Sequence, residues 1–259
     1  MLGGDAETVV ARARQANIGV TVVSPLRALM PRGLFAQGGA DAFAGNEECF
    51  DIVQKQQQRA AGELMQWVVV NPMDPRTFTQ AENMLRTKEC AGIKLHPEEH
   101  CYTIKEYGEE LFSFAAAHRS TVLVHSGDRH SAPMDYLPYA DANPEIDLVL
   151  AHLGNSGDHK PGAGGGDPTH QIRAVAASRH RNVYVDTSSA ASIKPGLIEY
   201  AVEQIGSDRM VFGSDTPLYF SPMQRARIDY AQISEEDRAN ILRNTAAKLL
   251  GLEPGSERL

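Results

Sequence analysis

Polar side chains with acid–base or metal-binding chemistry follow several short apolar runs of this sequence. His96 ends the run GIKLHP, His125 lies near the end of TVLVHSG, and His152 lies near the end of DLVLAHLG. Asp186 and Asp215 occupy the same place in NVYVDTS and MVFGSDTP. Imidazole nitrogens and carboxylate oxygens bind divalent ions such as zinc, manganese and iron, and both groups transfer protons in enzymes. These residues therefore predict a metal or acid–base centre, provided that the fold brings them together.

The apolar runs predict the elements that must position these side chains. Each run is short, rich in β-branched residues and closed by glycine, proline or serine, which is typical of a buried parallel strand. Amphipathic stretches between the runs predict helical crossovers, and about 250 residues are usual for an eight-stranded (β/α)8 TIM barrel. We therefore predict the α/β class with a TIM barrel. The predicted strands are Gly19–Pro25, Met65–Pro72, Gly92–Pro97, Thr121–Gly127, Asp147–Gly154, Asn182–Ser188 and Met210–Pro217.

Side-chain alternation along the strands predicts which residues meet at the barrel mouth, where active sites of this fold lie. His125 shares a strand face with Leu123, and His96 shares one with Lys94. The same alternation places His152 on the face of Leu148 and Leu150, and Asp215 on the face of Gly213 and Val211. If these faces point inward, the candidate residues converge at the carboxyl ends of the strands.

The chain opens on a predicted helix rather than on a strand. Asp5 is a good cap for a helix over Ala6–Ala16, and only Met1–Gly4 precede it. We therefore predict a distorted barrel that lacks its first strand. An unpaired strand edge invites association, so a homo-oligomer is expected. At the other end, Ser234 and Asp237 predict the start of a last helix, Glu235–Leu250.

Composition excludes several classes of function. The 33 acidic residues outnumber the 25 basic ones, giving a net charge of −8, and no basic block occurs, which argues against a nucleic-acid partner. The longest apolar runs are far too short to span a membrane. The three cysteines form no CxxC pair and no secretion signal precedes them, which is typical of a cytoplasmic protein. We predict one domain over residues 1–259, acting on a small molecule.

Six motifs in order give the sequence a family resemblance: GIKLHP, VLVHSGD, LVLAHLG, NVYVDTS, VFGSDTPL and ILRNTAAKLLGL. Together they resemble the amidohydrolase-related family of TIM-barrel metal-dependent hydrolases, in the branch with aminocarboxymuconate-semialdehyde decarboxylase relatives. The resemblance implies a single divalent metal ion, with zinc as first choice and manganese or iron as alternatives. It implies that His125 is a metal ligand and that His152 orients or polarises the substrate. It also implies that Asp215 binds the metal and serves as general base.

The sequence departs from that family at the first strand. The family carries an HxH metal motif there, whereas this sequence has no HxH and no histidine before His96. Three explanations are open: a gene product that starts further upstream, a reduced metal site that adds His96 or His100, or a pocket that works without metal. We expect a metal-dependent hydrolase of a small amide, ester or lactone. The alternatives are a non-oxidative decarboxylase of a small carboxylic acid and a non-catalytic barrel.

Further residues are candidates for substrate contact. The residues assigned to substrate binding are His96, Lys94, His100 and Arg129. For Lys94, a structural role as a salt-bridged barrel lysine one layer below the site is slightly favoured over a catalytic one. A carboxylated substrate would need an arginine, which Arg27 or Arg129 could supply. The glycine-rich segment Gly154–Asp167 follows a strand and predicts either a lid over the site or a surface insertion.

Overall fold

Seven parallel strands form one curled sheet in the computed structural model, which describes residues 5–25, 41–59, 64–156 and 166–252. The strands are joined side by side in chain order from β1 to β7, as in a TIM barrel. Each predicted run contains or overlaps one strand, so this prediction is confirmed. The strands are β1 Thr21–Val23, β2 Leu64–Val69, β3 Cys90–Leu95, β4 Val122–Val124, β5 Leu148–Leu150, β6 Val183–Asp186 and β7 Met210–Val211.

Helices connect successive strands and close the chain. Asp5 caps the first helix by accepting a 2.9 Å hydrogen bond from the backbone N–H of Thr8, and Ser234 with Asp237 forms a capping box before the helix that begins at Glu235. The helices are α1 Ala6–Gln15, α2 Ala42–Arg59, α3 Arg76–Met84, α4 Pro97–His100, α5 Ile104–Ala117, α6 Leu137–Ala142, α7 His170–Ala177, α8 Leu197–Ile205, α9 Ser221–Asp229, α10 Glu235–Ala239 and α11 Thr245–Leu249. A π-helical turn, Asn240–Asn244, joins α10 to α11, so the predicted last helix is present but irregular.

Alternate side chains of the strands enter two different apolar environments. Leu148 and Leu150 of β5 belong to the main core, which also contains Phe112 of α5. Val149, between them, packs instead with Tyr184 of β6 in a separate cluster. The even-numbered residues of β5 therefore pack against the helices, and Val149 faces the barrel interior.

The sheet has two ends, β1 and β7, which do not pair with each other in the described residues. On the β7 side, the backbone N–H of Phe212 donates a 2.8 Å hydrogen bond to the carbonyl of Ile241 in the π-helical turn. Thus the described part of the chain contains the seven predicted strands and no eighth. None of its helices is long and apolar enough to cross a membrane. A single domain, a homo-oligomer and a cytoplasmic location stay predictions.

Candidate active site

A cavity of about 1900 Å³ opens at the carboxyl ends of the strands and extends toward the gap between β1 and β7. It brings most of the predicted site residues together, since its lining includes Lys94, His96, His125, Arg129, His152, Asp186, Ser188 and Asp215. His100 lies elsewhere: it is buried and its ring stacks 6.4 Å from that of Tyr102, outside the described lining of the cavity. Arg27 and most of the glycine-rich segment, residues 157–165, lie outside the described residues.

Two imidazole rings stack where β3 and β4 end. The backbone N–H of His125 donates to the carbonyl of Leu95 at 3.0 Å, and the Tyr136 hydroxyl donates to the His125 carbonyl at 2.9 Å, so the backbone of His125 is fixed on both sides. His96 caps the short helix α4, where its Nδ1 accepts a 3.3 Å hydrogen bond from the backbone N–H of Glu99. The ring centroids of His96 and His125 are 4.1 Å apart, with only 12° between the ring planes.

The side chain of His125 has a carboxylate partner that the sequence analysis did not identify. Its Nε2 lies 2.6 Å from Oδ2 of Asp128, and the Asn155 side-chain amide donates to the same oxygen at 3.2 Å. The other ring nitrogen, Nδ1, is buried with no hydrogen-bond partner among the described residues. Asp128 stands three residues after His125 in the motif HSGD, and this spacing was the available signal.

The side chain of His152 lies in the cavity, but strand alternation, on which the prediction was based, is not the reason. Alternation assigned it to the face of Leu148 and Leu150, but those two residues pack against the helices. The strand ends at Leu150, and His152 adopts a left-handed backbone conformation with φ of 71°. This conformation breaks the alternation, so the ring enters the cavity and lies 4.9 Å from the ring of His125.

Hydrogen bonds with Asp186 and Ser188 fix the backbone and the ring of His152. Oδ1 of Asp186 accepts hydrogen bonds from the backbone N–H of His152 at 2.8 Å, from the backbone N–H of Ser188 at 2.9 Å and from the Ser188 hydroxyl at 2.5 Å. The Ser188 oxygen is also 2.7 Å from Nδ1 of His152. Asp186 was a weak candidate from the sequence, because DTS also suits a helix cap, and no sequence pattern indicated Ser188. Both residues are buried.

Burial governs the protonation of the polar groups around the cavity. It raises the pKa of Asp215, an effect that Lys94 opposes and Asp186 reinforces. It lowers the pKa of Lys94, which the charges of Asp186 and Asp215 partly restore. It also holds the pKa of His96 and of His152 well below the ordinary value of histidine, with His125 and Lys94 adding to the effect. These two histidines are therefore neutral near pH 7, and burial shifts Asp215 toward its protonated form.

The residues present do not form a three-donor metal centre as they are arranged. A ring nitrogen binds an ion about 2.0–2.1 Å away, along a lone pair in the ring plane. The nearly parallel, stacked rings of His96 and His125 cannot both aim at one such point. Nε2 of His125 is also engaged by Asp128. Among the described residues, no group of three histidine, cysteine or acidic side chains could hold an ion.

Comparisons with known proteins agree with the fold. No curated protein matches the sequence. The 2,6-dihydroxybenzoate decarboxylase from Rhizobium has a TM-score of 0.70 and 12% identity, with 95% of this chain and 88% of that chain covered. A dihydroxybenzoic acid decarboxylase from Polaromonas sp. JS666, solved with manganese and 2-nitroresorcinol, has a TM-score of 0.70 and 16% identity over 98% and 88%. An uncharacterised TIM-barrel protein from Bordetella bronchiseptica has a TM-score of 0.68 and 16% identity over 95% and 83%.

The family follows from the sequence itself. The model of the amidohydrolase family matches residues 3–252, which include all seven strands and every residue that lines the cavity. The chain therefore belongs to the amidohydrolase family.

Proposed function

We propose that this chain is a non-oxidative decarboxylase of a small carboxylic acid. The observation that carries the proposal is Arg129, which is exposed, lines the cavity and forms no ion pair within the described residues. A guanidinium that has no acidic partner in the described part of the chain, and that lines the same cavity as His125, His152 and Asp215, suits a substrate carboxylate. The names of two structural relatives, both decarboxylases of dihydroxybenzoic acids, support the same substrate class.

The cavity offers the proton transfer that decarboxylation requires. When carbon dioxide leaves, the electrons of the broken C–C bond stay on the substrate carbon, which must then gain a proton. Asp215 is the group suited to donate this proton, because burial raises its pKa and so shifts the carboxyl toward the protonated form. After the proton has moved, the Asp215 carboxylate recovers one from solvent, and no oxidant or reductant is consumed.

Hydrolysis of a small amide, ester or lactone is the second candidate. Its support is His152, a neutral imidazole in the cavity that could accept a proton from an attacking water. The route first expected from the sequence, through metal-activated water, has less support because the described residues lack a third donor.

The divalent ion that the family resemblance implies is not part of this proposal, because the described residues do not complete a site for it. The manganese of the Polaromonas relative favours manganese over the zinc expected from the sequence. His125 and Asp215 are the two donors that the family resemblance assigns, and the arrangement of the described residues adds no third. For this reason, no step above depends on an ion.

The test measures carbon dioxide release from 2,6-dihydroxybenzoate alongside hydrolysis of a nitrophenyl ester and a simple lactone. Arg129→Ala should raise KM for the acid by about 10- to 100-fold, the effect of losing one charge-assisted hydrogen bond. Arg179→Ala is the matched control, because Arg179 is also exposed but pairs with Asp141 away from the cavity. Ester or lactone hydrolysis without carbon dioxide release would contradict the proposal, as would an unchanged KM in Arg129→Ala.

A further inference from the structure

The hydrogen bonds among Asp186, Ser188 and His152 determine which ring nitrogen of His152 carries a hydrogen. Oδ1 of Asp186 accepts hydrogen bonds from the backbone N–H groups of His152 and Ser188, so this oxygen is an acceptor and carries no hydrogen of its own. The third contact to this oxygen, from the Ser188 hydroxyl at 2.5 Å, must then be donated by the serine.

Because a hydroxyl has one hydrogen, Ser188 has none left for its second contact. That contact is to Nδ1 of His152, 2.7 Å away, so Nδ1 must be the donor and the serine oxygen the acceptor. A neutral imidazole carries one hydrogen, which leaves Nε2 with its lone pair. Nε2 makes no hydrogen bond to any other residue that the structure describes.

The segment that carries Ser188 is held rigidly on both sides. Arg227 donates hydrogen bonds to the carbonyl of Thr187 at 2.7 Å and to the carbonyl of Ser189 at 3.0 Å. The buried hydroxyl of Ser192 contacts the same two carbonyls at 2.9 and 3.0 Å. Ser188 is therefore fixed between two anchored neighbours, and its position does not depend on a substrate.

We propose that Ser188 and Asp186 are positioning residues that hold His152 in its Nδ1–H tautomer and present Nε2 to the cavity as a proton acceptor. For the proposed decarboxylation, on which the substrate part of this inference rests, Nε2 would accept a hydrogen bond from a hydroxyl next to the departing carboxylate.

The tautomer can be observed directly in the full chain labelled with ¹⁵N-histidine. Long-range ¹H–¹⁵N correlation spectra distinguish the two neutral tautomers, and His152→Gln assigns the signal. We expect the Nδ1–H pattern in the wild type and its loss in Ser188→Ala. Ser120→Ala is the matched control, because it removes a buried hydroxyl that bonds to the carbonyl of Thr121 and lies outside the lining of the cavity, and the His152 pattern should stay unchanged.

Kinetics with 2,6-dihydroxybenzoate provide the second measurement. Ser188→Ala should lower kcat by about 10- to 100-fold with little change in KM, as is typical when a partner that orients a catalytic side chain is lost. An Nε2–H pattern in the wild type, an unchanged tautomer in Ser188→Ala, or an equal loss of kcat in Ser120→Ala would overturn the inference. A wild type with the Nδ1–H pattern that releases no carbon dioxide would instead contradict the proposed function and leave the positioning role standing.

Discussion

Replacing Gly213 with alanine tests how tightly the residues below His152 are packed. A Cβ at this position would lie 2.9 Å from Cβ of Ser188, 3.1 Å from Cγ of Asp186 and 3.2 Å from the backbone nitrogen of Ser188. The first distance is shorter than carbon atoms tolerate, so at least one neighbour must move. Neither neighbour is a flexible side-chain end, because both take part in the hydrogen bonds described above.

The expected cost of Gly213→Ala is therefore the cost of overpacking a rigid site, about 1–3 kcal/mol of unfolding free energy. A shift of a few tenths of an ångström in Asp186 or Ser188 also disturbs the contacts that orient His152, so kcat should fall by about tenfold or more. Urea denaturation followed by circular dichroism gives the first value, and carbon dioxide release from 2,6-dihydroxybenzoate gives the second.

Gly196→Ala serves as the control for this experiment. Gly196 has a left-handed φ of 77°, and a Cβ added there would have no described atom within 4 Å, so alanine is strained but meets no neighbour. It should cost about 1–2 kcal/mol of stability and leave kcat unchanged. If Gly213→Ala stays within about 0.5 kcal/mol of the wild type with full kcat, the site is not rigidly packed and the reasoning is refuted.

Two further predictions follow from the site and from burial. The family resemblance assigns only His125 and Asp215 as metal donors, and the described residues add no third. After incubation with manganese and desalting, the protein should therefore retain well below one equivalent of manganese, measured by mass spectrometry of the metal content. One full equivalent of manganese that is lost in Asp215→Ala would show instead that a third donor is recruited. Burial raises the pKa of Cys90 to about 11 and that of Cys49 to about 12, whereas Cys101 is exposed. Iodoacetamide at pH 8 should therefore modify Cys101 first, as peptide mass spectrometry would show. Rapid alkylation of Cys49 or Cys90 in the folded chain would contradict this prediction.

The strands could be predicted from local sequence because each is a short β-branched run closed by a turn residue. The caps of α1 and α10 were predictable for the same reason, since Asp5 and Ser234 bond to backbone groups three residues away. Placing His96, His125 and Asp215 near the barrel mouth required only the strand ends and the parallel order of the sheet.

The tertiary structure decided what those residues can do together. Strand alternation alone would point the His152 side chain away from the cavity, and its left-handed φ points it into the cavity instead. No local sequence pattern predicted this conformation. The contact of Ser188 with His152 joins residues 36 positions apart, and the stacking of His96 on His125 joins two separate strands. Sequence thus determined the order and type of elements, because these depend on neighbouring residues. The pairing of the side chains, and with it the chemistry of the cavity, depended on contacts between strands that only the folded chain brings together.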